Sequence, residues 1–208
     1  MKDQFGRTVE YLRISVTDKC NLRCVYCMPL HGMEWLKRDS LLSYEEIASV
    51  VQTMAGMGLR RVRITGGEPL VRKDLHRLVG MLSKISGIEE ISLSTNAVLL
   101  ADQAEALRDA GISRVNISLD SLREDRVDAI ARRPGSFGRI EEGLAAAEAV
   151  GFDPIKINVV LIEGQNDDEI EDFARLSRDR PWHIRFIELI PTGSNLELST
   201  NNFVSCQD

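Results

Sequence analysis

The 208-residue chain contains no long apolar run. Its first residues, MKDQFGRTVEYL, lack the hydrophobic stretch of a secretory leader, and no later segment approaches the roughly 20 apolar residues that a membrane span needs. A cytoplasmic location is the expectation. A basic surplus is missing too: 26 Lys plus Arg stand against 32 Asp plus Glu, a net charge of -6, which argues against nucleic acid or an anionic membrane as the main partner. No linker, low-complexity stretch or helical repeat interrupts the chain. With 43% hydrophobic and 28% charged residues, residues 1–208 read as a single well-buried domain. Neither a P-loop nor a G-x-G-x-x-G fingerprint is present. Cysteine is scarce, and three of the four crowd into eight residues. That excludes a disulfide framework and suits a metal site in a reducing compartment.

Those three, Cys20, Cys24 and Cys27, form a C-x3-C-x2-C run just after a strand-like segment. A cubane iron–sulfur cluster normally takes four thiolates, so three leave one iron open to a small molecule. Structural zinc is the competing reading, because His31 follows closely enough to complete a Cys3His set. The cysteines alone leave both open.

Short β-branched runs alternate with longer amphipathic stretches. The pattern predicts strands at Leu12–Thr17, Arg61–Thr65, Glu90–Thr95, Arg114–Leu119, Ile155–Leu161 and His183–Leu189. Helices are predicted at Ser43–Met57, Lys73–Lys84, Ala101–Ala110, Phe137–Val150 and Asp168–Arg178. Ser43 with Glu46 makes a capping box, and Gly58, Gly111 and Gly151 fall where helices should end. This order implies parallel βα units.

The strands do not read as the continuous apolar runs of a sheet packed on both faces. Leu12, Ile14 and Val16 oppose Arg13, Ser15 and Thr17; Val62 and Ile64 oppose Arg63 and Thr65; Ile91 and Leu93 oppose Ser92 and Ser94. Downstream, Val115, Ile117 and Leu119 oppose Asn116, Ser118 and Asp120, and Ile155 and Ile157 oppose Lys156 and Asn158. If helices cover the apolar face, the polar face lines the interior. Its cations are then Arg13, Arg63, Lys156 and Arg185, with Asp120 as the sole carboxylate. Such a buried surplus calls for an anionic ligand such as a nucleotide phosphate. An antiparallel sheet with one solvated face is the alternative that shows the same alternation.

At the C-terminal end of the second strand lies Thr65-Gly66-Gly67-Glu68-Pro69. Paired glycines allow backbone to approach a ligand closely and leave carbonyls to accept from an ammonium group. Both this turn and the cysteine loop follow strand C-termini, where barrel folds assemble their sites.

Together these residues resemble the radical S-adenosylmethionine (SAM) superfamily, through the C-x3-C-x2-C loop with aromatic Tyr26 before its last cysteine and through Gly66–Pro69. Within it the chain is similar to the GTP 3′,8-cyclase family that begins molybdenum cofactor biosynthesis. The similarity runs through LRISVTDKCNLRCVYCMP, RITGGEPLVRKDL, STNAVLL, VNISLDSL, KINVV, NDDEI and RFIELIPTG.

The resemblance implies an α/β fold, an incomplete (β/α)6 barrel, C-terminally truncated relative to the family. It gives Cys20, Cys24 and Cys27 to a [4Fe-4S] cluster whose open iron takes SAM. Tyr26, Gly67, Ser118 and Ile190 match positions that contact SAM, with Gly66 and Glu68 close by. Arg13, Arg63, Ser94 and Lys156 match GTP-binding positions, and Arg185 lies in a motif lining the same chamber. The implied reaction is reductive cleavage of SAM to a 5′-deoxyadenosyl radical, abstraction of the ribose 3′ hydrogen of GTP and attack on guanine C8. A flavodoxin- or ferredoxin-like electron donor and a downstream cyclic pyranopterin monophosphate synthase are the implied partners, and a homodimer is compatible.

The chain departs from the family pattern at three places. Ala97 stands where Thr-Asn-Gly is usual, which is tolerable if its φ is negative. Ile190 replaces a SAM-packing Met. The cysteine trio of a second [4Fe-4S] cluster is absent, since Cys206 has no C-x2-C companion. Another radical SAM enzyme, for instance a peptide-modifying one, and a non-catalytic zinc or electron-carrier module are the alternatives.

Overall fold

A computed structural model of the chain describes residues 2–29, 31–191 and 195–207, the side chain of Arg38 excepted. Thr192 and Gly193, which end the RFIELIPTG motif, lie outside the described residues. Six strands form one sheet: β1 (Tyr11–Ser15), β2 (Arg61–Thr65), β3 (Glu90–Thr95), β4 (Ile112–Ser118), β5 (Ile155–Val160) and β6 (Trp182–Ile187). Each pairs in parallel with its neighbour in sequence, so the order is β1-β2-β3-β4-β5-β6. The antiparallel alternative is therefore excluded. A sheet that grows in one direction by right-handed crossovers keeps its helices on one face. The other face becomes the inside of a barrel left open between β1 and β6, as the incomplete (β/α)6 expectation requires.

The helices are α1 (Tyr44–Gly56), α2 (Leu75–Leu82), α3 (Ala104–Ala110), α4 (Glu124–Ala131), α5 (Ser136–Ala149), α6 (Ile170–Asp179) and α7 (Leu196–Asn201). The capping box forms as read: the Ser43 hydroxyl accepts from the Glu46 N–H at 3.1 Å, and the Glu46 carboxylate accepts from the Ser43 N–H at 2.7 Å. Predicted starts shift inward at α2, α3 and α6, the last because a tighter turn at Asp167–Glu169 precedes Ile170. Asp74 has φ +56°, left-handed backbone that delays α2 to Leu75, and residues 98–103 form turns before α3. Two helices were not predicted. α4 has only two turns and buries just Val127, Ile130 and Ala131, too short a stripe to register as periodic; α7 has six residues. No helix among the described residues is long and apolar enough to cross a membrane.

The core lies between sheet and helices. Val62, Ile64, Leu93, Val115, Ile117, Ile157 and Val159 are fully enclosed and meet the equally enclosed Leu75, Leu78, Val79 and Leu82 of α2 in one continuous cluster. Each such side chain contributes about 1.5–3 kcal/mol relative to exposure. The outer face absorbs the apolar half of every strand, and the polar half is left for the interior.

Candidate active site

The cysteine loop is built by backbone. Beyond β1 the Val16 N–H donates to the Thr65 carbonyl at 2.9 Å; the Gly67 N–H donates to Thr17 at 2.7 Å and the Glu68 N–H to Lys19 at 2.8 Å. The two glycines are required by this approach. A methyl group at Gly66 would lie 2.7 Å from the Thr17 carbonyl oxygen, and one at Gly67 would collide with the carbonyl oxygens of Asp18 and Lys19. The close contact expected toward a ligand is thus, in the first place, a contact with the cysteine loop.

The loop's other side rests on α4. The last helical carbonyls, normally without partners, accept from the loop: Ile130 from the Val25 N–H and Ala131 from the Arg23 N–H, at 2.9 and 3.0 Å. Arg132 donates to the Met28 carbonyl at 3.0 Å and Arg133 to that of Asn21 at 2.7 Å. This support could not be read from the sequence, because it consists of backbone carbonyls on a helix too short to announce itself.

Cys20 and Cys24 are partly buried and Cys27 is exposed. Burial pushes all three thiols up; Cys24 reaches about 12, with the Asp120 carboxylate adding to the effect of burial. Burial thus disfavours their thiolate forms. A bound iron cluster would reverse this, since a coordinating thiol is deprotonated by the cation it binds. His31, the fourth ligand in the zinc reading, is exposed. Among the described residues no three His, Cys, Asp or Glu side chains converge as ligands of a single metal ion.

Glu68 faces inward. Its carboxylate accepts from the Leu70 N–H at 3.1 Å, the Thr95 hydroxyl at 2.7 Å and the Asn96 N–H at 2.7 Å. Burial nonetheless raises it to about 7, against the pull of those donors. It fixes the end of β3, from which Asn96 Nδ2 reaches Asn21 Oδ1 at 2.8 Å in the cysteine loop. Ala97 follows with φ +63°, so the expectation of a negative φ fails there. Glycine would adopt that backbone without the roughly 1–2 kcal/mol left-handed penalty.

Tyr26 is half-buried and donates to Asp120 Oδ2 at 2.8 Å, while Asp120 Oδ1 accepts from the Val160 N–H at 2.9 Å. Burial raises Asp120 to about 6. Cys24, Tyr26, Asn96, Ser118 and Asp120 all line one narrow cleft of about 30 Å³ beside α4. Of the residues matched to SAM, Tyr26 and Ser118 meet here, Gly66 and Gly67 lie against the loop, and Ile190 stands 67% exposed and does not line the cleft. A larger cavity of about 700 Å³ lies elsewhere, between the loop and the starts of α1 and α2.

On the inner face, strand register aligns Arg13 with Arg63 and Arg63 with Ser92. One level up, Ser94 faces Asn116, which faces Lys156; Arg185 lies opposite Asn158. Arg63 stacks over the Tyr11 ring at 5.3 Å, and with the Asn116 amide oxygen turned toward it, Nη1 donates at 2.8 Å. Burial and neighbouring cations lower both Arg63 and Lys156. The predicted cations therefore lie on one face of the sheet, but the expected buried surplus is only partly there: Arg63 and Lys156 are half-buried, whereas Arg13 and Arg185, on the two edge strands, are exposed. Two corrections apply. Arg114 also faces this chamber, and Glu90 pairs with it at 2.6 Å, so Asp120 is not the sole carboxylate. Both could have been found, since Glu90 shares the parity of Ser92 and Ser94, and Arg114 that of Asn116 and Ser118.

Residues 14–177 match the family model described as the radical SAM superfamily. The chain is 55% identical over 193 residues to a protein of Listeria monocytogenes serotype 4b named GTP 3′,8-cyclase, covering 93% of this chain and 58% of that protein. A protein of the same name from Petrotoga mobilis is 49% identical over all 208 residues, 64% of its own length. The chain thus spans about three fifths of the relatives it matches. Among solved structures, Streptococcus suis SuiB bound to S-adenosylmethionine superposes with a TM-score of 0.73 at 17% identity, over 91% of this chain and 43% of that one. At that identity the likeness concerns the fold.

Proposed function

The chain belongs to the radical SAM superfamily, and from that premise we propose that it is the catalytic core of a GTP 3′,8-cyclase, the activity its relatives are named for. Cys20, Cys24 and Cys27 would hold a [4Fe-4S] cluster and leave one iron for SAM. When bound, cluster and SAM together supply the one-electron chemistry that removes a hydrogen atom from carbon. The chain's own residues bind and orient. Tyr26, Gly66, Gly67 and Ser118 border the place where SAM would sit, the exposed Ile190 would offer it an apolar contact, and Glu68 acts from behind by fixing Thr95 and Asn96.

The observation that carries the reading to GTP is the inner face. Arg13, Arg63, Lys156 and Arg185 share that face, the first two on one level; Arg13 and Arg185 are exposed there, and it is the part-buried charge of Arg63 and Lys156 that an anion would relieve. Ser94 adds a hydroxyl beside Asn116. The phosphates take the cations, which holds the ribose toward the strand C-termini and the cysteine loop. No second cysteine trio occurs in these 208 residues, so the family's second cluster is not assigned here. The same reading places the 208 residues in one core unit, in the cytoplasm, with a flavodoxin- or ferredoxin-like reductant, a downstream synthase that consumes the product, and room for a homodimer.

Anaerobic calorimetric titration of the reconstituted chain and of Lys156→Met with GTP and with SAM tests the assignment. Loss of one charge-assisted contact should weaken GTP binding by about 1.5–3 kcal/mol and leave SAM binding unchanged. Equal losses for both ligands would mean a damaged barrel and no phosphate grip.

A further inference from the structure

Arg114 is an inner-face cation to which the phosphate grip above assigns no role. It sits on β4 opposite Ser92, which lies opposite Arg63 and, through it, Arg13. Three guanidiniums therefore share one level of the chamber. That level is two residues, about 6.6 Å, further from the strand C-termini than the level of Asn116 and Lys156. The Arg114 side chain is only 19% exposed. Glu90 Oε1 lies 2.6 Å from Nη2 as an ion pair outside hydrogen-bond geometry, and Nε is buried without an acceptor among the described residues. A buried N–H without a partner is destabilising. The charge of Arg114 also bears on Arg63 and Lys156, adding to the burial that lowers both. The group faces the same space as they do.

Reacting chemistry belongs at the strand C-termini, beside the cysteine loop. A nucleotide oriented with its ribose there must run its phosphates down the chamber, so the last phosphate reaches deepest. We propose that Arg114 is a further phosphate-binding residue, clamped by Glu90 so that its free Nε edge takes the terminal phosphate, and that it sets the preference for a nucleoside triphosphate over a diphosphate. This rests on the GTP reading above.

The test is anaerobic titration of the reconstituted chain and its Arg114→Gln and Glu90→Gln variants with GTP, GDP and inorganic tripolyphosphate. Arg114→Gln should lose about ten- to hundredfold in affinity for GTP and tripolyphosphate. Its GDP affinity should change less than about threefold, which collapses the discrimination between the two nucleotides. Glu90→Gln keeps the guanidinium and should stay within about threefold for all three ligands. Equal weakening of GTP and GDP by Arg114→Gln, or equal losses in the two variants, would make the pair a purely structural clamp and overturn the inference. If Arg114→Gln does not fold, Arg114→Lys, which keeps the charge and loses the Nε donor, is judged by the same GTP-to-GDP ratio. If the unaltered chain binds tripolyphosphate but not GTP, the GTP reading falls while Arg114 is still judged on tripolyphosphate. Binding of neither overturns both.

Discussion

Around the cysteine loop, backbone groups on two sides already have partners: Thr17 and Lys19 on the Gly-Gly turn, Arg23 and Val25 on the end of α4, Met28 and Asn21 on the arginines that follow it. On the inner face the balance is reversed. Five cations, Arg13, Arg63, Arg114, Lys156 and Arg185, lie on a face where, among the described residues, Glu90 is the one carboxylate paired with any of them. The first region is held in shape by contacts of nearly zero tolerance before any ligand arrives. The second carries a surplus of positive charge, partly exposed, that an anionic ligand would offset. Substitution should therefore damage the loop through structure, and change the chamber through binding with little effect on structure.

The most severe test removes the loop's purpose while leaving its frame. Cys24→Ala should abolish iron uptake and the visible spectrum of anaerobically reconstituted protein, whereas Cys206→Ala should leave both intact; unchanged iron content in Cys24→Ala would break the metal assignment. Next comes the frame itself. Gly67→Ala drives a methyl into two backbone carbonyls, neither of which can give way cheaply, so denaturant unfolding should show a loss of about 3 kcal/mol. Full stability in that variant would mean that the loop is looser than its contacts indicate.

Glu68, behind the loop, sharpens the comparison through pH. Its folded value of about 7 lies above its ordinary 4.5, so the folded chain holds the proton more tightly than the unfolded one. The stabilisation from that proton is complete below about pH 4.5 and is lost as pH rises through 7. Between those limits, cluster-free wild type should lose about 3 kcal/mol more stability than Glu68→Gln. Parallel pH profiles for the two proteins would show that the three donors to Glu68 outweigh burial. The smallest effect belongs to the chamber. Lys156→Met, which keeps the apolar stem and removes a repelled charge, should leave unfolding free energy within about 1 kcal/mol of wild type or raise it. A larger loss there would erase the contrast between the regions.

Sequence reading reached the chamber better than the loop, for a physical reason. Strand alternation has a period of two, so once Val62 and Ile64 are placed outward, Arg63 must point inward, and the same logic located Arg13 and Lys156. It would have located Arg114 and Glu90 had the parity been followed to the start of β3 and β4. The capping box at Ser43 and Glu46 was equally legible, because side chains make it. What supports the loop is written in backbone geometry. The carbonyls of Ile130 and Ala131 have no residue-specific signature, and the role of Gly66 and Gly67 becomes plain only when Thr17 and Asp18 are seen pressed against them. The left-handed φ of Ala97 left no trace in the sequence either, since alanine there signals the opposite.

The clasp by α4 has a consequence for the order of events during synthesis. The cysteine loop leaves the ribosome with the first strand, and since each strand pairs only with its predecessor, the sheet can grow one unit at a time from β1. Yet the contact between Met28 and Arg132 spans 104 residues, and that between Asn21 and Arg133 spans 112. The earliest-made part of the site is thus among the last to be locked. Until the fourth βα unit has emerged, the three thiols sit on a loop that lacks its support from α4.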